Sequence, residues 1–448
     1  MKHQVLTKKF LGSKERVNWH NQALLHVRFK RDNTTQKIRE WEELREIASQ
    51  IKLHVLSNIK KYVEQFYINA TKNGFIVHFA KDAEELNSIV YQILSQNNIN
   101  RVVKSKSMLT EECGLNPFLE SRGIEVIDTD LGERIVQLRK EHPSHIVLPA
   151  IHLKKEDVAE TFSYYLNTDR NNADPTYLTR EARKHLREKF LQAQVGITGV
   201  NFAIAETGGF VVCTNEGNAD LGTTIPNIHI ACMGVEKIIP KLKDLSIFLR
   251  ILAPSATGQL ITSYTTIFQK PNPNQTVHIV ILDNGRSRIL KHDDFRNSLK
   301  CIRCGACLNT CPVYRRSGGH SYHATIPGPI GSILNPHRNK TEFGDLPFAS
   351  TLCGSCSNVC PVKIDIHNQL FLWRQELKDI KKMPRSIFSF LRNFMSDPKK
   401  FMVLHKIARF TTKFTPHFIE KKIKRNLPEI PPKTFRQIYL EQYHDKIK

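Results

Sequence analysis

Residues 301–312 read CIRCGACLNTCP, and residues 353–361 read CGSCSNVCP. The first stretch is C-x2-C-x2-C-x3-C-P: Cys301, Cys304, Cys307 and Cys311, then Pro312. The second repeats its later part, with Cys353, Cys356 and Cys360 before Pro361. Seven of the chain's ten cysteines thus fall between positions 301 and 360.

Cysteines three apart on a tight loop can wrap three thiolates around one cubane iron–sulfur cluster. A fourth, just before proline, points away and serves the other cluster of a two-cluster module. That spacing assigns Cys301, Cys304, Cys307 and Cys360 to cluster one, and Cys311, Cys353 and Cys356 to cluster two. Cluster two is one cysteine short, because the position matching Cys301 holds Ser350. Three outcomes are open: a 3Fe-4S cluster, a 4Fe-4S cluster with a non-cysteine ligand, or a ligand from elsewhere. Ser350 as an alkoxide is one candidate ligand, and His320 and His323 are others. Zinc sites pair separated C-x2-4-C units around one metal, which fits seven cysteines poorly. Disulfides need an oxidising compartment, for which the sequence gives no sign.

Between the motifs, VYRRSGGHSYHATIPGPIGSILNP is rich in Gly and Pro and reads as ordered loop, not helix. Arg315 and Arg316 put positive charge near Cys311, which favours a reduced cluster. After Pro361, VKIDI reads as a short strand, followed by a helix from about His367 to Lys378. Residues 293–380 form the expected cluster domain.

Upstream, residues 74–292 read as one α/β domain. Strands are expected at FIVHFA (75–80), RVVKS (101–105), GIEVID (123–128) and HIVLPAI (145–151). Helices alternate with them over Asp82–Ile93, Thr110–Arg122, Glu133–Lys140 and Arg170–Gln194. The alternation predicts a largely parallel sheet covered on both faces. NFAIA and FVVCT, split by the glycines of ETGG, predict a hairpin. Further strands are expected at NIHIACMG, TSYTTIF and VHIVILD. The loops GITG, AETGG, TNEGN and DNGRSR expose backbone N–H groups and suit either turns or an anion. No G-x-G-x-x-G or P-loop opens a helix, so neither a dinucleotide nor ATP is indicated. Glu206 lacks a paired base or nucleophile and reads as a turn residue. Cys213 and Cys232 lie in apolar strands as small hydrophobes.

Residues 1–73 read as an N-terminal helical extension, of which residues 1–35 look irregular and polar. From Trp41 to Phe66 an apolar stripe recurs at helical spacing and reads as packing against the next domain. Residues 381–448 read as a basic helical region. From 366 to 448 there are 19 Lys/Arg against 7 Asp/Glu. The span Phe401–Lys424 could be one basic amphipathic helix, but Pro416 favours two shorter ones. LPEIPPKTF (427–435) is expected to be extended.

The whole chain has 448 residues and a formal charge of +23, enough for two or three domains with a basic surface. No apolar run approaches a membrane span, and the basic N-terminus lacks the apolar core of a signal peptide. These features predict a cytoplasmic protein, with peripheral contact at the inner membrane face as an option. No nucleic-acid-binding signature is evident, so the charge is read as serving a membrane surface or an acidic partner.

With these flanks, the chain resembles the lactate-utilisation iron–sulfur family of the LutB or YkgF type. The resemblance rests on GITGVNFAIAETGGFVVCTNEGNADL, CIRCGACLNTCPVYRRSGGHSY, IPGPIGSILNP, LCGSCSNVCPVKIDI and LPEIPPKTF. It implies a LUD domain of the NagB/RpiA/CoA-transferase-like fold, then a mainly helical ferredoxin-like 4Fe-4S dicluster domain. It implies the same cluster ligands, with the missing cysteine at Ser350 a family feature, and leaves the catalytic residues unknown. It also implies an electron-transfer subunit of a system oxidising L-lactate to pyruvate. The implied partners are a CCG-motif cysteine-rich protein and a second LUD-domain protein. The alternatives are an electron-carrying subunit of another substrate dehydrogenase, or a cluster-containing regulator or scaffold.

Overall fold

A computed structural model describes residues 2–377, 385–413 and 432–443. The chain divides into two compact units, Met1–Lys378 and Asp379–Lys448.

The first unit opens with four helices: α1 (Lys2–Leu11), α2 (Lys14–Lys37), α3 (Trp41–Ser57) and α4 (Ile59–Lys72). The reading of residues 1–35 as irregular is therefore corrected. Ser13 Oγ accepts from Arg16 N to start α2. Its buried positions are Val17, His20, Leu24, Arg31 and Thr35, mostly polar, so no apolar stripe announced the helix. The expected stripe on α3 and α4 is present, broken at Asn58, and it joins two cores. Trp41, Leu44 and Ala48 pack with Ile302 and Leu308 of the first cysteine motif. Val55, Tyr62 and Phe66 pack against the strand residues Ile279 and Ile281.

Ten strands follow: β1 (Ile76–Ala80), β2 (Arg101–Lys104), β3 (Glu125–Asp128), β4 (Val195–Gly199), β5 (Phe202–Ile204), β6 (Phe210–Thr214), β7 (Ile228–Gly234), β8 (Ile238–Ile239), β9 (Tyr264–Phe268) and β10 (Thr276–Leu282). Six make a parallel sheet in the order β1-β10-β7-β4-β2-β3, as the alternation predicts. A smaller sheet, β8-β5-β6-β9, contains the expected β5–β6 hairpin. The helix after β1 is capped by Asp82, whose Oδ1 accepts from Glu85 N at 3.0 Å, while Glu85 Oε2 accepts from Lys81 N at 2.7 Å.

Several expectations are corrected. GITG is strand β4, not a loop. Gly196 is required there because a Cβ would stand 1.6 Å from Gly222 O of the helix Asn218–Thr224. Residues 145–151 form no strand; His145 is instead held by its own loop, Nδ1 accepting from Val147 N and Leu148 N. The expected Thr110–Arg122 helix is two short ones, broken at Gly114 with φ +63°. Between the motifs, Gly328–Arg338 is a buried helix, not a loop. Pro329 sits in its first turn, where a missing N–H costs nothing. Gly331 lets it pack closely, since a Cβ would meet Ile326 O at 1.7 Å. VKIDI forms no strand; the helix Ile366–Glu376 follows it.

The largest core is continuous from the small sheet to the cysteine motifs. It includes Phe202 and Ile204 of β5, Phe248 of the helix Leu245–Ala256, and Cys304, Leu308 and Trp373.

Among the described residues of the second unit the helices are Arg385–Met395, Pro398–Lys413 and Phe435–Tyr443. The predicted elements at Pro416 and at 427–431 lie outside the described residues. Among the described residues, no helix is long and apolar enough to cross a membrane.

Candidate functional site

The two cysteine motifs fold as a repeat. In the first, Arg303 (φ +61°) and Gly305 (φ +76°) flank Cys304 and curl the chain. In the second, Leu352 (φ +56°) and Gly354 (φ +78°) flank Cys353 in the same way. Left-handed φ is uncommon for Arg and Leu, so this curl is imposed by the loop's task rather than by local preference. The helix Ala306–Thr310 then carries Cys307, and its counterpart Ser355–Asn358 carries Cys356. Cys311 caps the helix Pro312–Ser317, its Sγ accepting from Tyr314 N at 3.5 Å.

The curl aims backbone N–H groups at sulfur. Cys301 Sγ accepts from Arg303 N at 3.4 Å and Cys360 Sγ from Ile364 N at 3.4 Å. In the second repeat Ser350 Oγ accepts from Leu352 N at 3.1 Å. Ser350 thus occupies the place of Cys301, down to the same hydrogen bond.

The cysteines interact in two sets. Cys304 feels Cys360 and Cys301; Cys307 feels Cys301, Cys304 and Cys360, as well as Cys356 across the divide. Cys356 feels Cys311 and Cys353. Burial pushes the thiols of Cys304 and Cys356 up to about 12, and raises those of Cys307, Cys311 and Cys360 as well. Cys353 is exposed and shifts the other way, chiefly because Ser355 N–H bonds its sulfur. All ten cysteines are free. Buried thiols with N–H groups turned on them become good ligands when metal supplies the positive charge, so the donor set fits iron–sulfur clusters. Among the described residues, no group of three or more His, Cys, Asp or Glu is gathered around a single metal-ion position.

The N-terminal helices clamp this module. Arg45 of α3 donates to Cys360 O from Nε at 3.1 Å and from Nη2 at 2.8 Å, and from Nη2 to Asn358 O at 2.7 Å. Arg31 Nη2 of α2 donates to Val359 O at 3.2 Å. Lys300 Nζ reaches Ser49 Oγ at 2.9 Å and Lys363 O at 3.1 Å. Arg28 of α2 binds the hydroxyls of Thr310 and Ser355, which also bond each other between the repeats. The α/β domain contributes His145, whose Nε2–H donates to Asn309 Oδ1 at 3.0 Å.

A cavity of about 520 Å3 adjoins the first repeat. It lies past the carboxyl ends of β2, β4 and β7, where the strand order reverses between β2 and β4. That is the usual ligand position in open parallel sheets. Ile302, Arg303 and Cys304 form part of its wall. Inside, Arg286 bridges two buried acids, Glu112 at 3.1 Å and Glu236 at 2.6 Å. Burial alone would raise Glu236, but Arg286 and Arg303 hold its carboxyl at about 2. Burial lowers the nearby Lys237 ammonium to about 8, with Glu236 opposing. Of the four glycine-rich stretches, GITG at the end of β4, TNEGN and DNGRSR supply wall residues and AETGG does not.

Other expected residues have other partners. His320 Nε2 bonds His142 O at 2.7 Å, and His323 Nε2 faces Asp345 Oδ1 at 3.3 Å. Glu206 Oε2 accepts from Leu242 N at 2.9 Å, a local cap consistent with a turn residue. Cys232 is buried and Cys213 half-buried, and burial pushes their thiols up to about 12 and about 11. Arg315 acts on Cys311 as expected. Lys237, Arg303 and Arg45 were not singled out from the sequence. Arg303 could have been, as a charged residue inside the first motif.

A family model of the LUD domain matches residues 63–289, and one of the 4Fe-4S dicluster domain matches residues 297–364. The chain is therefore a mixed α/β LUD protein with an iron–sulfur dicluster module. Relatives named Lactate utilization protein B match it along most of its length. The Bacillus cytotoxicus protein is 46% identical over 75% of this chain and 72% of its own. Those of Oceanobacillus iheyensis and Macrococcus caseolyticus are 41% and 44% identical, over 86% and 80% of this chain and 83% and 76% of their own. The chain belongs to the Lactate utilization protein B family. A solved DUF162 family protein from Deinococcus radiodurans aligns with 50% of this chain and 98% of its own, at 13% identity and a TM-score of 0.28.

Proposed function

We propose that this chain is the electron-transfer component of a system oxidising L-lactate to pyruvate. The carrying observation is the pair of facing cysteine sets in a chain whose relatives are named for lactate utilisation. In this reading Cys301, Cys304, Cys307 and Cys360 hold one 4Fe-4S cluster, and Cys311, Cys353 and Cys356 hold a second. Ser350 is its fourth ligand, supported by its match to Cys301. The clusters supply one-electron redox chemistry, which suits a substrate that gives up two electrons. The chain's own residues set the distance and surroundings: the short Cys307–Cys311 segment keeps the two sets adjacent, and N–H groups stabilise charge on sulfur. The α/β portion is assigned to the NagB/RpiA/CoA-transferase-like class. Partners are assigned as a CCG-motif cysteine-rich protein and a second LUD-domain protein. The location is assigned as cytoplasmic, with the basic C-terminal region as the candidate membrane contact.

The test uses anaerobic, cluster-loaded protein given L-lactate, alone and with co-purifying partners, followed by visible bleaching and paramagnetic resonance. Reduction in either mixture supports the reading. Clusters that reduce chemically but never with lactate would favour another substrate's electron carrier or a regulatory scaffold.

A further inference from the structure

We propose that the cavity beside the first repeat binds a 2-hydroxy carboxylate, its acid group held by Lys237 and Arg303 and therefore next to Cys304. The choice of acid rests on the lactate reading; the site itself rests on three features of the cavity.

The first is size and place. At about 520 Å3 the cavity falls within the range of small-molecule sites, and it occupies the ligand position of a parallel sheet.

The second is unmatched positive charge at one end. Arg286 is fully engaged by Glu112 and Glu236. Lys237 and Arg303 are not. Among the described residues the Lys237 ammonium has no hydrogen-bond or ion-pair partner. Arg303 Nη1 is buried without an acceptor, and its Nη2 stands 3.8 Å from Glu236 Oε1. A buried donor without an acceptor is costly, and a guanidinium fork beside an ammonium matches a carboxylate.

The third is orientation. A separate part of the wall carries Asp130 and Glu216, and Lys106 there is paired to Asp130 at 2.8 Å. Burial and Asp130 push the Glu216 carboxyl up to about 7, with the Leu131 N–H and Lys106 opposing. A carboxylate is drawn to the basic end, where the positive charge is not fully paired.

The competing role for Lys237 and Arg303 is as counter-charge to the metal centre, since Lys237 also feels Cys301. The test separates the two. Calorimetric titration of the anaerobic, cluster-loaded full chain uses L-lactate and lactamide, an uncharged analogue of the same size. The expected result is saturable lactate binding and lactamide binding weaker by roughly tenfold or more. Lys237→Met should weaken lactate by a similar factor, leaving iron content and the reduced resonance spectrum unchanged. Lys237→Arg should retain binding, and its thermal unfolding serves as the folding control. No lactate binding, or equal binding of lactate and lactamide, overturns the proposal. So does a Lys237→Met variant that alters the resonance spectrum while binding lactate normally. Lactate that reduces the clusters through partners without binding here would overturn the cavity assignment yet leave the relay reading standing. Binding without reduction in any mixture would do the reverse.

Discussion

The two cysteine repeats share a backbone and differ in their surroundings. The inner repeat has Cys304 and Cys307 buried, His145 against Gly305, and the cavity beside it. The outer repeat has Cys353 exposed and Ser350 where the inner has Cys301. One local fold thus places Cys304 in the protein interior and its counterpart Cys353 at the surface. In an electron relay the inner position suits exchange with a ligand in the cavity, and the outer suits exchange with a partner.

The largest expected difference is in cysteine removal. Cys304→Ala should lose roughly half of the bound iron and also lower thermal stability, because Cys304 itself is packed in the main core and Cys353 is not. Cys353→Ala should lose a similar amount of iron with a much smaller fall in unfolding temperature. Equal destabilisation by both would break the inner–outer distinction.

Next is the clamp. Arg45→Met removes the guanidinium donor from the Cys360 and Asn358 carbonyls, leaving Cys360 O with only the Lys363 N–H, which should cost about 1–3 kcal/mol in anaerobic urea unfolding. Unfolding of this variant at the parent's urea concentration would contradict the clamp.

A pH series adds a third test. Burial holds His145 neutral, its pKa lowered to about 3, with the Asn309 hydrogen bond opposing. The unfolded chain takes up that proton near pH 6.5 and the folded chain does not. The stability tied to neutral His145 is therefore full above pH 6.5 and falls progressively towards pH 3. The slope is about 1.4 kcal/mol per pH unit within that window. His145→Gln should show a shallower fall than the parent between pH 7.5 and 5.5 in urea titrations. An identical slope would remove His145 from the account.

The smallest effect is expected at Ser350. Ser350→Cys should keep the iron content and alter only the resonance spectrum of the outer centre, since the Leu352 N–H is already in place. Ser350→Ala should make that centre lose one iron more readily. No response to either change would point to a ligand from elsewhere.

What the sequence made legible follows from range. The cysteine spacing is local, so the repeat could be read directly. Apolar runs gave most strands of the parallel sheet. The misses share a cause, in that a distant partner decides the local structure. Helix α2 buries His20, Arg31 and Thr35 among its contacts, and no apolar pattern betrays it. Strand β4 needs Gly196 because Gly222 O approaches it, and glycine by itself reads as a turn. The helix Gly328–Arg338 is held by burial despite its glycines and prolines. The cavity was hidden for the same reason: Lys237 and Arg303 meet only when strand β7 and the first motif converge. The repeat of backbone angles around Ser350 was likewise invisible without coordinates.

The most direct test of the central claim, two distinct centres on two repeats, is an anaerobic redox titration followed by paramagnetic resonance. The parent protein and Cys353→Ala should be compared. The account predicts two separable one-electron steps in the parent. One of them should persist in the variant, with the spectrum of an isolated cluster. A single step in the parent, or loss of both steps in a folded variant, would contradict it.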